Sequence, residues 1–230
     1  MTMPFTANLS ILPAEQQRLW EKLSETPDEF ILYGGTALAL RLGHRVSVDF
    51  DFFSPHDIDP AELMKSVPYL KDIEVQQLKE NTLTGLVDGV QVSFFGLKDW
   101  RNIEDPDVAE TSGIKVARLI DLAGTKAMVV QARASWKDYV DIHTILNKTD
   151  LTLADALAAC KLIYNKRFNP MLTLKALTYF DDLPLDKVPE PMRKDLVKSV
   201  EAVSLTQIKE RTAHWDGLIK KRDQDRRPGS

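Results

Sequence analysis

Residues 30–53, FILYGGTALALRLGHRVSVDFDFF, decide how this chain is read. Phe30, Ile31, Leu32 and Tyr33 form a short apolar run with the length of a buried strand, and the run ends in Gly34-Gly35. The segment Thr36–Gly43 that follows is rich in Ala and Leu, which predicts a short helix with Gly43 as its C-terminal stop. From Val46 to Phe53 apolar and polar residues alternate, the period of a strand with one face turned inward. The stretch therefore predicts strand, glycine turn, helix and strand in immediate succession.

The chemistry sits on that second strand. Asp49 and Asp51 are two apart, so they share a face roughly 7 Å apart along the backbone, while Phe50 and Phe52 point the other way into a core. Two hard-oxygen side chains on one face suit Mg²⁺, which takes carboxylates together with water and substrate phosphates. A lone Asp-x-Asp is more often a pair of solvated acids, and a lone Gly-Gly-Thr is more often a tight turn. Together they specify more. Glycines after a buried strand let the backbone approach an anion, and the first N–H groups of the next helix, with the Thr36 hydroxyl, point at it. Gly34, Gly35 and Thr36 are thus candidates to hold a nucleotide phosphate, and Asp49 and Asp51 to bind the metal and act in catalysis.

Working outward, PAEQQRLWEKLSE (13–25) predicts a helix with Pro13 in its first turn, and Asp59-Pro60 starts another. The segments IEVQQLKEN, TLTGLVDG and VQVSFFG, from residue 73 on, are β-branched and aromatic; Asn81 and Asp88-Gly89 mark the turns of an antiparallel meander. From about residue 115 the pattern becomes helical, through RLIDLAGTKAMVVQAR, KDYVDIHTILNK, LADALAACKLIYNK, MLTLKALTYF, MRKDLVKSVEAV and TQIKERTAHWDGLIKK. The expected fold is α+β: a small mixed sheet with helices over residues 1–112, then a mostly helical half over 113–230.

Strand, Gly-Gly-Thr, helix and Asp-x-Asp strand, with thirteen residues between Gly35 and Asp49, resemble the signature of the polymerase-beta-like nucleotidyltransferase superfamily. More narrowly, YGGTALALRLGHRVSVDFDFFS resembles the AbiEii/AbiGii nucleotidyltransferase toxin family, in which G-G-T-A-L is followed by R-x-S-x-D-x-D-F. Those positions are here Gly34 to Leu38, Arg45, Ser47, Asp49, Asp51 and Phe52. The resemblance continues into the helical half through Lys126, Arg133, Lys137-Asp138 and Asp141. It implies a minimal nucleotidyltransferase fold, NTP as substrate, Mg²⁺ as cofactor, Arg45 and Ser47 at the nucleotide, and Lys126 and Asp138 in catalysis, Lys126 on the phosphate tail. It further implies an acceptor such as tRNA or another RNA, and a toxin–antitoxin or phage-defence setting with a cognate antitoxin protein. One position departs from the pattern. The family's third carboxylate falls in a segment like V-x-V-D-h, and here Val90-Gln91-Val92-Ser93 places a neutral hydroxyl there, which removes one charge that would hold metal. A catalytically impaired nucleotide-binding module acting through a protein partner is the alternative that Ser93 raises.

Periodicity offers its own reading of Lys126 and Arg133. They fall on the same helical face as Leu119, Leu122, Ala123, Val129 and Val130, and inward charges need partners. Asp138 and Asp141 share a face with Ile142 and Ile145 on the next helix. An inter-helix ion pair and a phosphate contact are both open on that evidence.

The chain of 230 residues is 43% hydrophobic and 28% charged, an ordinary globular composition. A net charge of -4 argues against binding nucleic acid by bulk electrostatics, so any RNA contact is local. The basic end, IKKRDQDRRPGS, reads as a solvated tail. A single cysteine, Cys160, excludes an intramolecular disulfide; with no signal-peptide pattern and no run of about 20 apolar residues, the expectation is a soluble cytoplasmic protein without membrane contact. His44, His56, His143 and His214 lack metal-ligand spacing, Cys160 lies on an apolar helix face, and the four tryptophans are too dispersed to suggest a stacking platform.

Overall fold

The computed structural model describes residues 3–226, which form two compact units dividing between Arg118 and Leu119. The first unit contains β1 (Pro4–Phe5), α1 (Ala14–Trp20), β2 (Ile31–Tyr33), α2 (Gly34–Leu42), β3 (Asp49–Ser54), α3 (Pro60–Ser66), β4 (Glu74–Lys79), β5 (Thr82–Val87), β6 (Val90–Gly96), β7 (Asp107–Ala109) and β8 (Lys115–Val116). The strands join in one eight-stranded sheet of order β1-β7-β8-β2-β3-β6-β5-β4. β3 runs antiparallel to β2 and parallel to β6, β2 runs parallel to β8, and β4, β5 and β6 form the expected antiparallel meander.

Local chemistry sets the punctuation. α2 begins directly at the glycine pair and stops at Gly43, whose φ of 59° is left-handed and whose N–H donates to the Ala39 carbonyl at 2.8 Å. Asp59 caps α3 by accepting from the N–H groups of Ala61 (2.9 Å) and Glu62 (3.3 Å). Asp88 and Gly89, both at positive φ, close the β5–β6 hairpin. The inner face of the sheet carries Phe50, Phe52, Val92, Phe94 and Leu83, all fully buried. Phe52 stacks on Phe94 at 5.1 Å, and Trp20 of α1 leans on Phe50 at 6.2 Å. Burying each such side chain stabilises the unit by about 1.5–3 kcal/mol.

Three expectations change here, the first being the helix read over 13–25, which ends at Trp20 and is followed by a separate short 3-10 turn at Leu23–Glu25. The strand read from Val46 to Phe53 begins only at Asp49, because residues 46–48 pair with no neighbouring strand, and Val46 and Val48 are exposed. The short strands β1, β7 and β8 went unread. They are tied together by Arg41, whose Nε donates to the Ala117 carbonyl (2.7 Å) and whose Nη2 reaches the Val116 carbonyl and Asp107, each at 3.0 Å. Arg118 closes on the other oxygen of Asp107 at 2.8 Å.

The second unit is helical: α4 (Leu119–Ala132), α5 (Trp136–Lys148), α6 (Leu153–Tyr164), α7 (Pro170–Ala176), α8 (Glu190–Glu201) and α9 (Leu205–Asp225). Reciprocal capping boxes, Thr152 with Asp155 and Ser204 with Gln207, start α6 and α9. α4 is buried continuously from Ile120 to Ala127 and packs on α6 closely enough that a β-carbon on Gly124 would lie 2.9 Å from that of Ala159. Cys160 is fully buried beside this contact, and burial raises its thiol pKa, as suits an inert thiol. The basic end is a continuation of α9 as far as Asp225, with Ile219 buried, and not a frayed tail. Residues 227–230 of that stretch lie outside the described residues. No helix among the described residues is long and apolar enough to cross a membrane.

Candidate active site

The outer face of the sheet carries the carboxylates. Strand register aligns Asp49 with Gln91 of β6, and Asp51 with Ser93 of β6 and Tyr33 of β2; Ser93 in turn lies beside Thr84 of β5. Ser93 thus occupies the place next to Asp51 that the resemblance gives to a third acid, is buried, and has the neutral Thr84 on its other side.

Gly34 is at φ 75°, and a β-carbon there would lie 2.7 Å from Oδ2 of Asp51. Both facts require glycine: the left-handed conformation is costly for other residues, and the turn lies against the carboxylate. At Gly35 a β-carbon would meet the end of the flexible Arg45 guanidinium and lie 3.2 Å from Ser47 Oγ. Arg45 and Ser47 are therefore packed on the glycine turn, and Ser47 Oγ also donates to Asp49 Oδ1 at 3.3 Å. Thr36 is 1% exposed; its hydroxyl donates to the Asp49 backbone carbonyl and lies 3.3 Å from Asp49 Oδ1. The sequence reading aimed that hydroxyl at a phosphate, whereas in the fold it holds Asp49.

Asp49 is thus fixed by two neutral hydroxyls and makes no ion pair among the described residues. Its negative charge is not compensated by a protein cation, which fits a carboxylate that holds a metal. Among the described residues no group of three or more His, Cys, Asp or Glu is placed to bind a metal. What the sheet offers Mg²⁺ is the pair Asp49 and Asp51, with its other ligands left to water and phosphate oxygens.

Two contributors escaped the sequence reading. Gln16 of α1 is 2% exposed, with its amide NH₂ toward the Ser47 carbonyl and its oxygen accepting from the Asp49 N–H at 3.0 Å. It clamps the backbone that enters β3, and its one signal in the sequence is a polar side chain three and four residues from the core positions Leu19 and Trp20. An aromatic wall stands beside Asp51 on the same face: Tyr33 stacks on Phe53 at 4.8 Å, and Trp100 meets both edge-on at 5.4 and 5.1 Å. Trp100 Nε1 donates to the Tyr33 hydroxyl (3.1 Å), which donates to Asn102 (2.9 Å).

In the helical unit, Lys126 of α4 is buried and its Nζ lies 2.9 Å from Asp138 Oδ1 and 2.7 Å from Asp141 Oδ2, both fully buried on α5. Arg133 Nε holds the other Asp138 oxygen at 2.9 Å. Of the two charges that periodicity turns inward, Lys126 is buried, whereas Arg133 is exposed and reaches Asp138 from the surface, so that Asp138 bridges the two cations. Burial pulls the Lys126 pKa down, but Asp141 and Asp138 outweigh it and hold the ammonium above its ordinary range.

The glycine turn yields a paired expectation. If the two carboxylates serve phosphoryl transfer, Gly34→Ala lowers that activity by at least about 10²-fold, because a misplaced carboxylate forfeits the alignment it depends on. Gly35→Ala loses far less, since the Arg45 side chain can swing aside. Kinetics of the two purified variants check this; equal losses would mean that the Asp51 contact is not what the turn provides.

A family model described as nucleotidyl transferase AbiEii toxin, type IV TA system, matches residues 18–89 and 90–217. An uncharacterized protein of Aquifex aeolicus (strain VF5) is 31% identical over 175 residues, covering 74% of this chain and 84% of that one. Two crystal structures from Helicobacter pylori are more distantly similar. One, described as a candidate nucleotidyltransferase, is 18% identical, with a TM-score of 0.37 over 92% of this chain and 95% of that one. The other, JHP933, is 17% identical, with a TM-score of 0.43 over 96% of each chain.

Proposed function

Because this chain belongs to the nucleotidyl transferase AbiEii toxin family, we propose that it moves a nucleoside monophosphate from an NTP to an acceptor hydroxyl. In that reaction the acceptor oxygen bonds to the α-phosphorus as the bond to the pyrophosphate oxygen breaks. The observation that carries the reading is Asp49, held by hydroxyls and without an ion pair among the described residues, beside Asp51 at a glycine turn. Asp49 and Asp51 would hold Mg²⁺, which when bound neutralises phosphate charge and polarises the reacting oxygens. Gly34, Gly35, Arg45 and Ser47 form the rim assigned to the triphosphate, and Thr36 and Gln16 keep Asp49 in place. The resemblance assigns Lys126 to the phosphate tail and Asp138 to catalysis; in the fold the two are buried and paired with each other, so a phosphate contact requires Lys126 to exchange a carboxylate for it. The acceptor is RNA such as tRNA, reached by local contacts because the chain is acidic overall. The biological setting is that of a toxin with a separately encoded antitoxin, active in phage defence and working in the cytoplasm.

Ser93 favours a second reading, a nucleotide-binding module with impaired transfer, since the register sets a neutral hydroxyl beside Asp51. One variant separates the two. If the site works with two acids, Ser93→Asp leaves transfer unchanged or slower, because a third carboxylate crowds a buried place. If the chain is impaired, Ser93→Asp raises label transfer from α-³²P-NTP to RNA by at least about tenfold, in line with the charge stabilisation one added ligand supplies.

A further inference from the structure

The outer edge of the sheet, strand β4, is Glu74-Val75-Gln76-Gln77-Leu78-Lys79, and all six residues are exposed. Val75 and Leu78 are 46% and 52% exposed, unusual for apolar residues on a strand. Among the described residues β4 pairs only with β5, so its other edge carries unpaired backbone groups, the usual template for another strand.

Register assigns every side chain but that of Gln76 to a face. Glu74, Gln77 and Lys79 lie opposite Leu86, Thr84 and Thr82 of β5, which belong to the outer face with Ser93 and Asp51. Val75 and Leu78 lie opposite Gly85 and Leu83, which belong to the inner face. An odd separation would normally put Val75 and Leu78 on opposite faces; the irregularity between Val75 and Gln77 restores them to one.

The geometry points to a two-fold dimer in which β4 pairs antiparallel with β4 of a second copy of this chain, about an axis between Gln76 and Gln77. In that register Glu74 meets Lys79 of the partner subunit at both ends, Val75 meets the partner's Leu78, and Gln76 meets the partner's Gln77. Charge therefore matches charge, apolar matches apolar, and the Glu74–Lys79 and Val75–Leu78 pairs each fall on one face. Charged residues normally guard a sheet edge by repelling a neighbour. Here the two charges have opposite sign and sit symmetrically, so the pairing attracts. Neither Glu74 nor Lys79 has an ion-pair partner among the described residues, so neither charge is already spent within its own chain. The contact is a single strand edge, at the low end of specific interfaces, so the dimer forms reversibly with concentration.

Sedimentation velocity of the full chain over a concentration series tests this. Wild type shifts from monomer to dimer. Glu74→Lys and Lys79→Glu each set like charges opposite one another at both ends and weaken association by about tenfold or more. The double variant E74K/K79E restores the pairs and the dimer, with circular dichroism confirming that every variant is folded. As a readout independent of charge, a nitroxide on Gln77→Cys shows strong dipolar broadening at high concentration, since the two Gln77 α-carbons then lie about 6 Å apart. A wild type that stays monomeric throughout, a dimer indifferent to the single reversals, a folded double variant that remains monomeric, or a dimer without broadening overturns the proposal.

Discussion

Asp49→Asn lowers nucleotidyl transfer on the order of 10³-fold while leaving the protein folded, the size expected when one charge is removed from a site that works by electrostatic stabilisation. The amide keeps an acceptor oxygen for the Thr36 and Ser47 hydroxyls, the only side-chain donors to Asp49 among the described residues. No ion pair is broken, so stability changes by less than about 1 kcal/mol. What is lost is negative charge on the face that receives a divalent cation. Single-turnover transfer with Mg²⁺, set beside a urea titration, separates the two effects. A variant that unfolds, or one that transfers at the wild-type rate, would show that Asp49 is a structural acid.

The largest loss of stability is expected at Lys126. Lys126→Met leaves the fully buried Asp138 and Asp141 without the cation they share, and breaking a buried pair from one side costs about 3–5 kcal/mol. Arg133 still holds one oxygen of Asp138, so the greater burden falls on Asp141, and K126M/D141N recovers part of the loss. The pH dependence follows from the raised pKa of the lysine. A group whose folded pKa lies above its unfolded value stabilises fully below the unfolded value, here 10.5, and that contribution fades as pH climbs through the higher folded value. The gap in denaturation midpoint between wild type and Lys126→Met therefore stays constant from pH 7 to 9 and narrows only above the ordinary lysine range. Narrowing already below pH 9 would mean that the ammonium titrates low and is not held by the two aspartates.

Which parts of this molecule were legible in its sequence follows the range of the forces involved. The glycine turn, α2, the β4–β5–β6 meander and the helices of the second unit obey local rules of periodicity, capping and turn chemistry, although α7 stops at Ala176, short of the Phe180 its pattern reaches, and α9 runs on into the basic end. The strands β1, β7 and β8 are two or three residues long and carry no usable period; Arg41 and Arg118 fix them through Asp107, a partner 66 residues from Arg41. The same contrast holds at the site. The resemblance singled out Asp49, Asp51, Arg45 and Ser47 from one contiguous motif. Gln16 and Trp100 reach it from distant segments, with only a misplaced polar residue and an isolated indole to mark them. Thr36 was found for one reason and serves another, because the direction of a hydroxyl is set by the fold. Lys126 shows the limit from the other side: periodicity foresaw a buried cation with partners and had no means to choose between a carboxylate and a phosphate.

The central claim is that Asp49 and Asp51 at the glycine turn form a metal-dependent nucleotidyl transfer site. It is tested most directly by incubating the wild-type chain with each α-³²P-labelled NTP, Mg²⁺ and total RNA. The account predicts label on RNA that requires Mg²⁺ and disappears with Asp49→Asn. Mg²⁺-dependent NTP binding without label on any acceptor, or label that survives Asp49→Asn, would contradict it.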